Sequence, residues 1–313
     1  MKKMKRTLAV MTALVWCGMT FAAKAPKDIR IGATQIVEHP ALDSSRKGFE
    51  TALKDKGFGE AQIEFRNAQG DFSTAQLIAK SFVEDKKDLI FTISTPSSQA
   101  ALNATKDIPI VITAVTDPVK SGLVSKNLTG TSDPLPIADQ VDLIKKALPA
   151  VKTVGLIYNT GEANSAASIA QIKEELAKTG LKFEETGVTS VNDIVPALSA
   201  LLGKVDILYL TTDNLISSAA PLVVETASKA GKPVIAAEES HMQFGTLMTK
   251  TIDFYQIGYR AGEMAAEIFQ GKPVGDIPIE PPKENRVMVN RKLAEKFKVD
   301  LNLDIFKGAE ILE

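Results

Sequence analysis

Side chains able to do chemistry are few in this chain, and they lie far apart. There are two histidines, His39 and His241, one cysteine, Cys17, and one tryptophan among 313 residues. A zinc centre needs three or four nitrogen, sulfur or carboxylate ligands brought together, and these counts do not supply a thiolate or multi-histidine set. No G-x-S-x-G elbow, H-E-x-x-H pair or G-x-x-x-x-G-K-[ST] loop occurs. Gly57-Phe58-Gly59 lacks the last glycine of a dinucleotide fingerprint and follows a helical segment rather than a strand. The expectation is therefore a protein with no cofactor, no metal and no catalytic residue.

What the sequence does repeat is a polar cluster after each apolar run. In open parallel α/β sheets ligands bind just beyond the carboxyl ends of the strands, so these clusters are the candidate site. IRIGAT is followed by Gln35 and then Glu38-His39-Pro40, DLIFTIS by Thr95-Pro96-Ser97-Ser98, and IPIVITAV by Thr116-Asp117. Further along, VGLIY is followed by NTGEANS with Asn164, DILYL by Thr211-Thr212-Asp213-Asn214, and PVIAA by Glu238-Glu239.

Thr95 suits a helix N-cap and Pro96 a first helical residue. The turn would then present the Ser97 and Ser98 hydroxyls and free backbone N–H groups, which receive a carboxylate or phosphate without a basic side chain. Asp213 suits an ammonium group, or alternatively caps the helix that follows it. Glu238 and Glu239 are a weaker pair of candidates. His39 reads as a hydrogen-bonded structural histidine before it reads as a base, and His241 has no evident partner.

The elements that carry these clusters alternate regularly. From Ile29, short runs of contiguous apolar residues, the mark of strands buried on both faces, alternate with segments of helical periodicity. The series runs through LTGTSD, resumes at QVDLIKKAL, and continues to PVIAA. Two successive βαβ series predict an α/β protein of two doubly wound parallel-sheet lobes joined by a hinge, in line with a length of about two domains. GTSDPLP, residues 130–136, marks the boundary. The amphipathic stretch FYQIGYRAGEMAAEIFQG is a further helix that could cover either lobe.

Composition narrows the partners. Hydrophobic residues make up 44% and charged residues 24%, as in a globular chain with a real core. Lys and Arg number 37 against 38 Asp and Glu, so no basic excess is present to hold nucleic acid. At the start, MKKMKR is cationic, TLAVMTALVWCGMTF is apolar but shorter than a spanning helix, and Thr20-Phe21-Ala22 sets small residues before a cut after Ala22. Residues 1–22 thus read as an export signal. Trp16 stands where a lipoprotein box wants a small residue before Cys17, which disfavours lipid anchoring. Removing the segment removes the only cysteine and the only tryptophan.

At these same strand ends the sequence resembles the ABC-transporter substrate-binding proteins of the tryptophan/tyrosine type, with the type I periplasmic-binding fold. The matching stretches are TQIVEHPALD (34–43), TPSSQAALNATKDIPIVITAVTDPVKSGLV (95–124), GTSDPLP, IYNTGEANS (157–165), TDN (212–214) and IDFYQIGYRAGEMA (252–265). The resemblance implies a periplasmic receptor that closes two lobes over an amino acid, expected to be aromatic, and delivers it to an ABC permease at the inner membrane, acting as a monomer. It implies that 27–132 with 253–275 form one lobe and 133–252 with 276–313 the other. It further implies that Thr95 and Ser97 hold the ligand's carboxylate and Asp213 its amino group. Gln35, Thr116, Asp117, Asn164 and Glu239 would line the rest, beside Asn214. A sensor subunit docking on a membrane receptor, or a receptor for a different small solute, would use the same cleft.

Overall fold

The computed structural model describes residues 24–313; the expected export signal lies outside the described residues. The first sheet is built from β1 (Arg30–Gln35), β2 (Gln62–Asn67), β3 (Leu89–Ile93), β4 (Ile110–Thr113) and β5 (Leu128–Gly130), in the order β2-β1-β3-β4-β5. Every pair is parallel. Three helices return the chain between its strands: α1 (Pro40–Leu53), α2 (Phe72–Glu84) and α3 (Thr95–Ala104). Strand β3 is buried along its whole length, as a central parallel strand covered on both faces must be.

The chain then crosses into a second lobe through α4 (Ile137–Ala147), β6 (Thr153–Asn159), α5 (Ala163–Thr179), β7 (Lys182–Val188), α6 (Val191–Leu202) and β8 (Ile207–Leu210). It continues through α7 (Asn214–Ser218), α8 (Ala220–Lys229), β9 (Val234–Ala236) and β10 (Met248–Thr251). A second crossing leads into α9 (Phe254–Phe269), which packs on α1 of the first lobe. The contact is close because glycines face it. A Cβ on Gly48 would lie 2.1 Å from the Tyr255 carbonyl oxygen, and one on Gly258 1.9 Å from that of Ser45. Ile252, Phe254, Ile257, Ala261 and Ala265 share the first lobe's apolar core with Phe49 and Phe91.

After α9 the chain stays beside β5 as far as Glu280, whose N–H donates to the Gly130 carbonyl and whose carbonyl accepts from the Ser132 N–H. It then crosses a third time into β11 (Arg286–Asn290), α10 (Arg291–Lys296) and β12 (Glu310–Leu312). The second sheet has the order β12-β11-β10-β9-β8-β6-β7. Its β10–β11 pair is antiparallel, so this lobe is mixed at one edge where a purely parallel sheet was expected. Two apolar clusters flank it, one under α4, α5 and α10 and the other under α6, α7 and α8. The molecule is thus two α/β lobes linked by three crossings, and both sets of β-strand carboxyl ends face the gap between them.

Candidate functional site

A small cavity lies in the gap between the lobes. From the first lobe His39, Leu42, Ala114, Thr116 and Phe254 line it, with Asp133 at the first crossing. From the second come Asn164, Thr212, Asp213, Asn214, Ser217 and Glu238. No lysine or arginine is among these lining residues. The lobes touch across it: His39 Nε2 lies 3.4 Å from Asn214 Oδ1, and the Thr116 and Thr212 hydroxyls are 3.3 Å apart.

On the first lobe, the chain turns sharply at two adjacent strand ends. Ser94 after β3 and Ala114 after β4 both adopt positive φ, 90° and 54°. Non-glycine residues rarely occupy this region, and such strain collects at sites where the surroundings hold it. At the first of these turns Ser94 starts α3, and Pro96 lies in its opening turn. The Ser98 hydroxyl donates to the Ser94 carbonyl and sits 2.8 Å from the Thr92 hydroxyl, so it is committed to the turn. The Thr95 and Ser97 hydroxyls are buried and have no partner. Buried polar groups are normally paired, so these two are open acceptors or donors at a helix N-terminus.

On the second lobe the wall is knitted together. Asp213 caps α7, accepting from the Ile216 N–H at 2.9 Å, and its other oxygen accepts from the Asn159 N–H at 2.6 Å. Of the two roles the sequence allowed for Asp213, helix capping is therefore realised. Glu162 ties three segments, accepting from the side chains of Asn159, Asn164 and Asn214. Asn164 also reaches the Thr212 carbonyl at 3.0 Å. Below them Glu238 Oε1 accepts from the Ser217 hydroxyl at 2.5 Å and lies 2.7 Å from His241 Nε2. The same histidine nitrogen also faces Ser217, at 3.1 Å. The acid and the hydroxyl share one ring nitrogen, so there is no relay in which an acid orients the far side of the ring.

These acids differ in charge. Burial works against the Glu238 carboxylate, but His241, with His39 and the Ser217 hydroxyl, brings it down to about 2. Asp133 has no such help. Burial and then the nearby Glu238 push it up to about 8, against the Thr116 hydroxyl. Asp213 is raised by burial and by Glu162. Burial lowers His39, favouring its neutral form. The cavity is therefore rich in acid, and no lysine or arginine of the wall offsets it.

Of the residues singled out from the sequence, Thr116, Asn164, Asp213 and Asn214 meet at this cavity. Thr95 and Ser97 lie at the start of α3 and are not among its lining residues. Gln35 is spent locally, donating to the Val37 carbonyl and to Asp43, both at 2.9 Å. Asp117 turns to its own loop, accepting from the Lys120 N–H and pairing with the Lys120 ammonium. Glu239 pairs with Arg286, and its neighbour Glu238 takes the cavity position. Asp133 was passed over because it lies inside GTSDPLP, which reads as a linker. Its signal was an acid directly after the short β5. A wider groove between α9 and residues 280–286 is less suited to a ligand, since Arg260 there is engaged by Glu263, Glu267 and Glu280. Among the described residues no group of three or more His, Cys, Asp or Glu is placed to hold a metal ion.

A family model described as ABC transporter substrate binding protein matches residues 30–311. A "Tyrosine-binding protein" of Clostridioides difficile (strain R20291) is 46% identical over 273 residues, covering 84% of this chain and 79% of that one. A Streptococcus pneumonia ABC domain solved in complex with L-Trp superposes with a TM-score of 0.87 at 32% identity, covering 91% of this chain and 99% of its own. The ligand-free, open structure of a substrate binding protein with adhesive properties from Clostridium difficile gives only 0.68 over the same coverage, although identity rises to 43%. With nearly all of the described chain matched by the family model, the protein belongs to the ABC transporter substrate binding proteins, a family of solute-binding components and not of enzymes.

Proposed function

We propose that the protein is an exported, periplasmic receptor that captures one amino acid, tyrosine or tryptophan, between its lobes and hands it to an ABC permease. The observation that carries this is the polarity of the cleft. Three acids, Asp133, Asp213 and Glu238, line it without a lysine or arginine, and the open hydroxyls of Thr95 and Ser97 mark the N-terminus of α3, which follows β3, the strand next to β4. One side therefore favours a cation and the other an anion, the two ends of a zwitterion. The wall adds apolar surface from Leu42, Ala114 and Phe254. The tyrosine named for one relative and the L-Trp bound by another support an aromatic side chain.

The apolar start of the sequence supports export, and among the described residues no helix is long and apolar enough to cross a membrane. A single experiment tests the ligand class. The one tryptophan is Trp16, so protein lacking residues 1–22 has no indole of its own. Titration with L-tryptophan should shift and polarise the ligand's emission saturably, with L-tyrosine competing. Unchanged emission, together with no calorimetric heat from L-tyrosine or L-phenylalanine, would overturn the reading.

A further inference from the structure

Of the three acids that line the cleft, two are already engaged by protein donors. Asp213 binds two backbone N–H groups, and Glu238 is held by Ser217 and His241. Asp133 differs. Its Oδ1 has no hydrogen-bond partner although the residue is only 2% exposed. Its own N–H donates to the Val115 carbonyl at 3.0 Å, which fixes it to the first lobe at the point where the chain leaves for the second.

From that placement we infer that Asp133 is the carboxylate that reads the ligand's ammonium group and makes lobe closure depend on it. This rests on the amino-acid reading above but assigns a role that reading does not need. The groups that act on Asp133 are Glu238 across the gap and the Thr116 hydroxyl, with His39 and Asp213 elsewhere on the same cavity wall. Closing the empty cleft brings Asp133 toward Glu238, two like charges in a dry space, which disfavours the ionised pair. A ligand cation between them removes that penalty. The burial of Asp133 and its nearness to Glu238, which disfavour its ionised form, agree with this geometry.

Calorimetry of the intact receptor with L-tyrosine and with 3-(4-hydroxyphenyl)propanoate, which lacks only the amino group, tests the assignment at pH 7. Wild type should bind the deaminated acid about 100-fold more weakly, the scale of a charge-assisted hydrogen bond to a buried carboxylate. In Asp133→Asn the ratio should shrink to about tenfold or less, through weaker binding of tyrosine. In Asp213→Asn both ligands should weaken together and the ratio should persist, because that carboxylate positions the wall. Discrimination undiminished in Asp133→Asn, or lost in Asp213→Asn alone, would overturn the inference while leaving the amino-acid reading intact. No heat from tyrosine or tryptophan with wild type would sink both.

Small-angle scattering without ligand supplies a second readout, with Asp133→Ser as a further variant should the amide disturb folding. The ligand-free variant should move toward the compact form of tyrosine-saturated wild type. A folded variant that binds neither ligand and stays as extended as ligand-free wild type would contradict the proposal.

Discussion

The two walls of the cleft are made in different ways. On the second lobe the acids are tied to neighbours, Glu162 to three asparagines, Asp213 to two backbone amides and Glu238 to Ser217 and His241, although the Ser168 and Thr211 hydroxyls there are buried without a partner. On the first lobe the strained turns at Ser94 and Ala114 hold hydroxyls at Thr95 and Ser97 that have no partner. A satisfied network is rigid and specifies one arrangement, whereas an open valence is a demand for a ligand. The bonded acids of the second lobe therefore form a preformed cradle, and on the first lobe Thr95 and Ser97, with Asp133 at the crossing, have bonds still to be made.

The contrast predicts unequal effects of substitution. The largest is expected at Glu238, where truncation leaves His241 and Ser217 buried without their acceptor. Glu238→Ala should destabilise the protein by about 3–5 kcal/mol in denaturant unfolding, as when one member of a buried pair is removed. A loss under 1 kcal/mol would show that the cradle is not held by this group. The same residue sets an acid limit. Its carboxyl is depressed from 4.5 to about 2 in the folded state, so its contribution is complete above the unfolded value and is lost as pH falls through the folded one. At ~1.4 kcal/mol per pH unit this amounts to about 3 kcal/mol lost between pH 4.5 and 2, and Glu238→Gln should flatten that arm of the pH–stability curve.

The open wall should behave in the opposite sense. Ser97→Ala removes a buried hydroxyl that has no partner, so thermal stability should hold or rise slightly while tyrosine binding weakens by about 1.5–3 kcal/mol, the worth of a hydrogen bond to a charged group. A fall in melting temperature with unchanged affinity would reverse the assignment of the two walls. A smaller effect, confined to stability, is expected where α1 meets α9. Gly258→Ala places a methyl against the Ser45 carbonyl and should cost about 1–3 kcal/mol by overpacking, with tyrosine affinity unchanged within error. An affinity loss there would mean that the α1–α9 contact shapes the site directly.

Much of the frame was legible in the residues because burial on both faces leaves contiguous apolar runs such as LIFTI and ILYL, and polar residues must follow where such strands end. Thr116, Asp213, Asn214 and the NTGEANS cluster that contains Asn164 all follow apolar runs that this rule marks as strands. What it could not choose was orientation beyond a strand end. Glu238 and Glu239 are adjacent, and only the path after β9 decides that the first faces the cleft and the second Arg286. The turn at Ala114 was also hidden, since IPIVITAV reads as one strand although β4 ends at Thr113. Strands β11 and β12 went unseen because they are short and half-buried, and they gain their place by pairing with β10 and with each other. Asp133 was hidden by composition, as an acid between Ser132 and Pro134 looks like a linker.

Native mass spectrometry of the receptor incubated with isotopically labelled L-tyrosine tests the central claim most directly, that two lobes hold one amino acid without altering it. The account predicts a single added mass per chain equal to intact tyrosine, released unchanged on denaturation. No added mass at saturating ligand, or a released molecule of different mass, would contradict it.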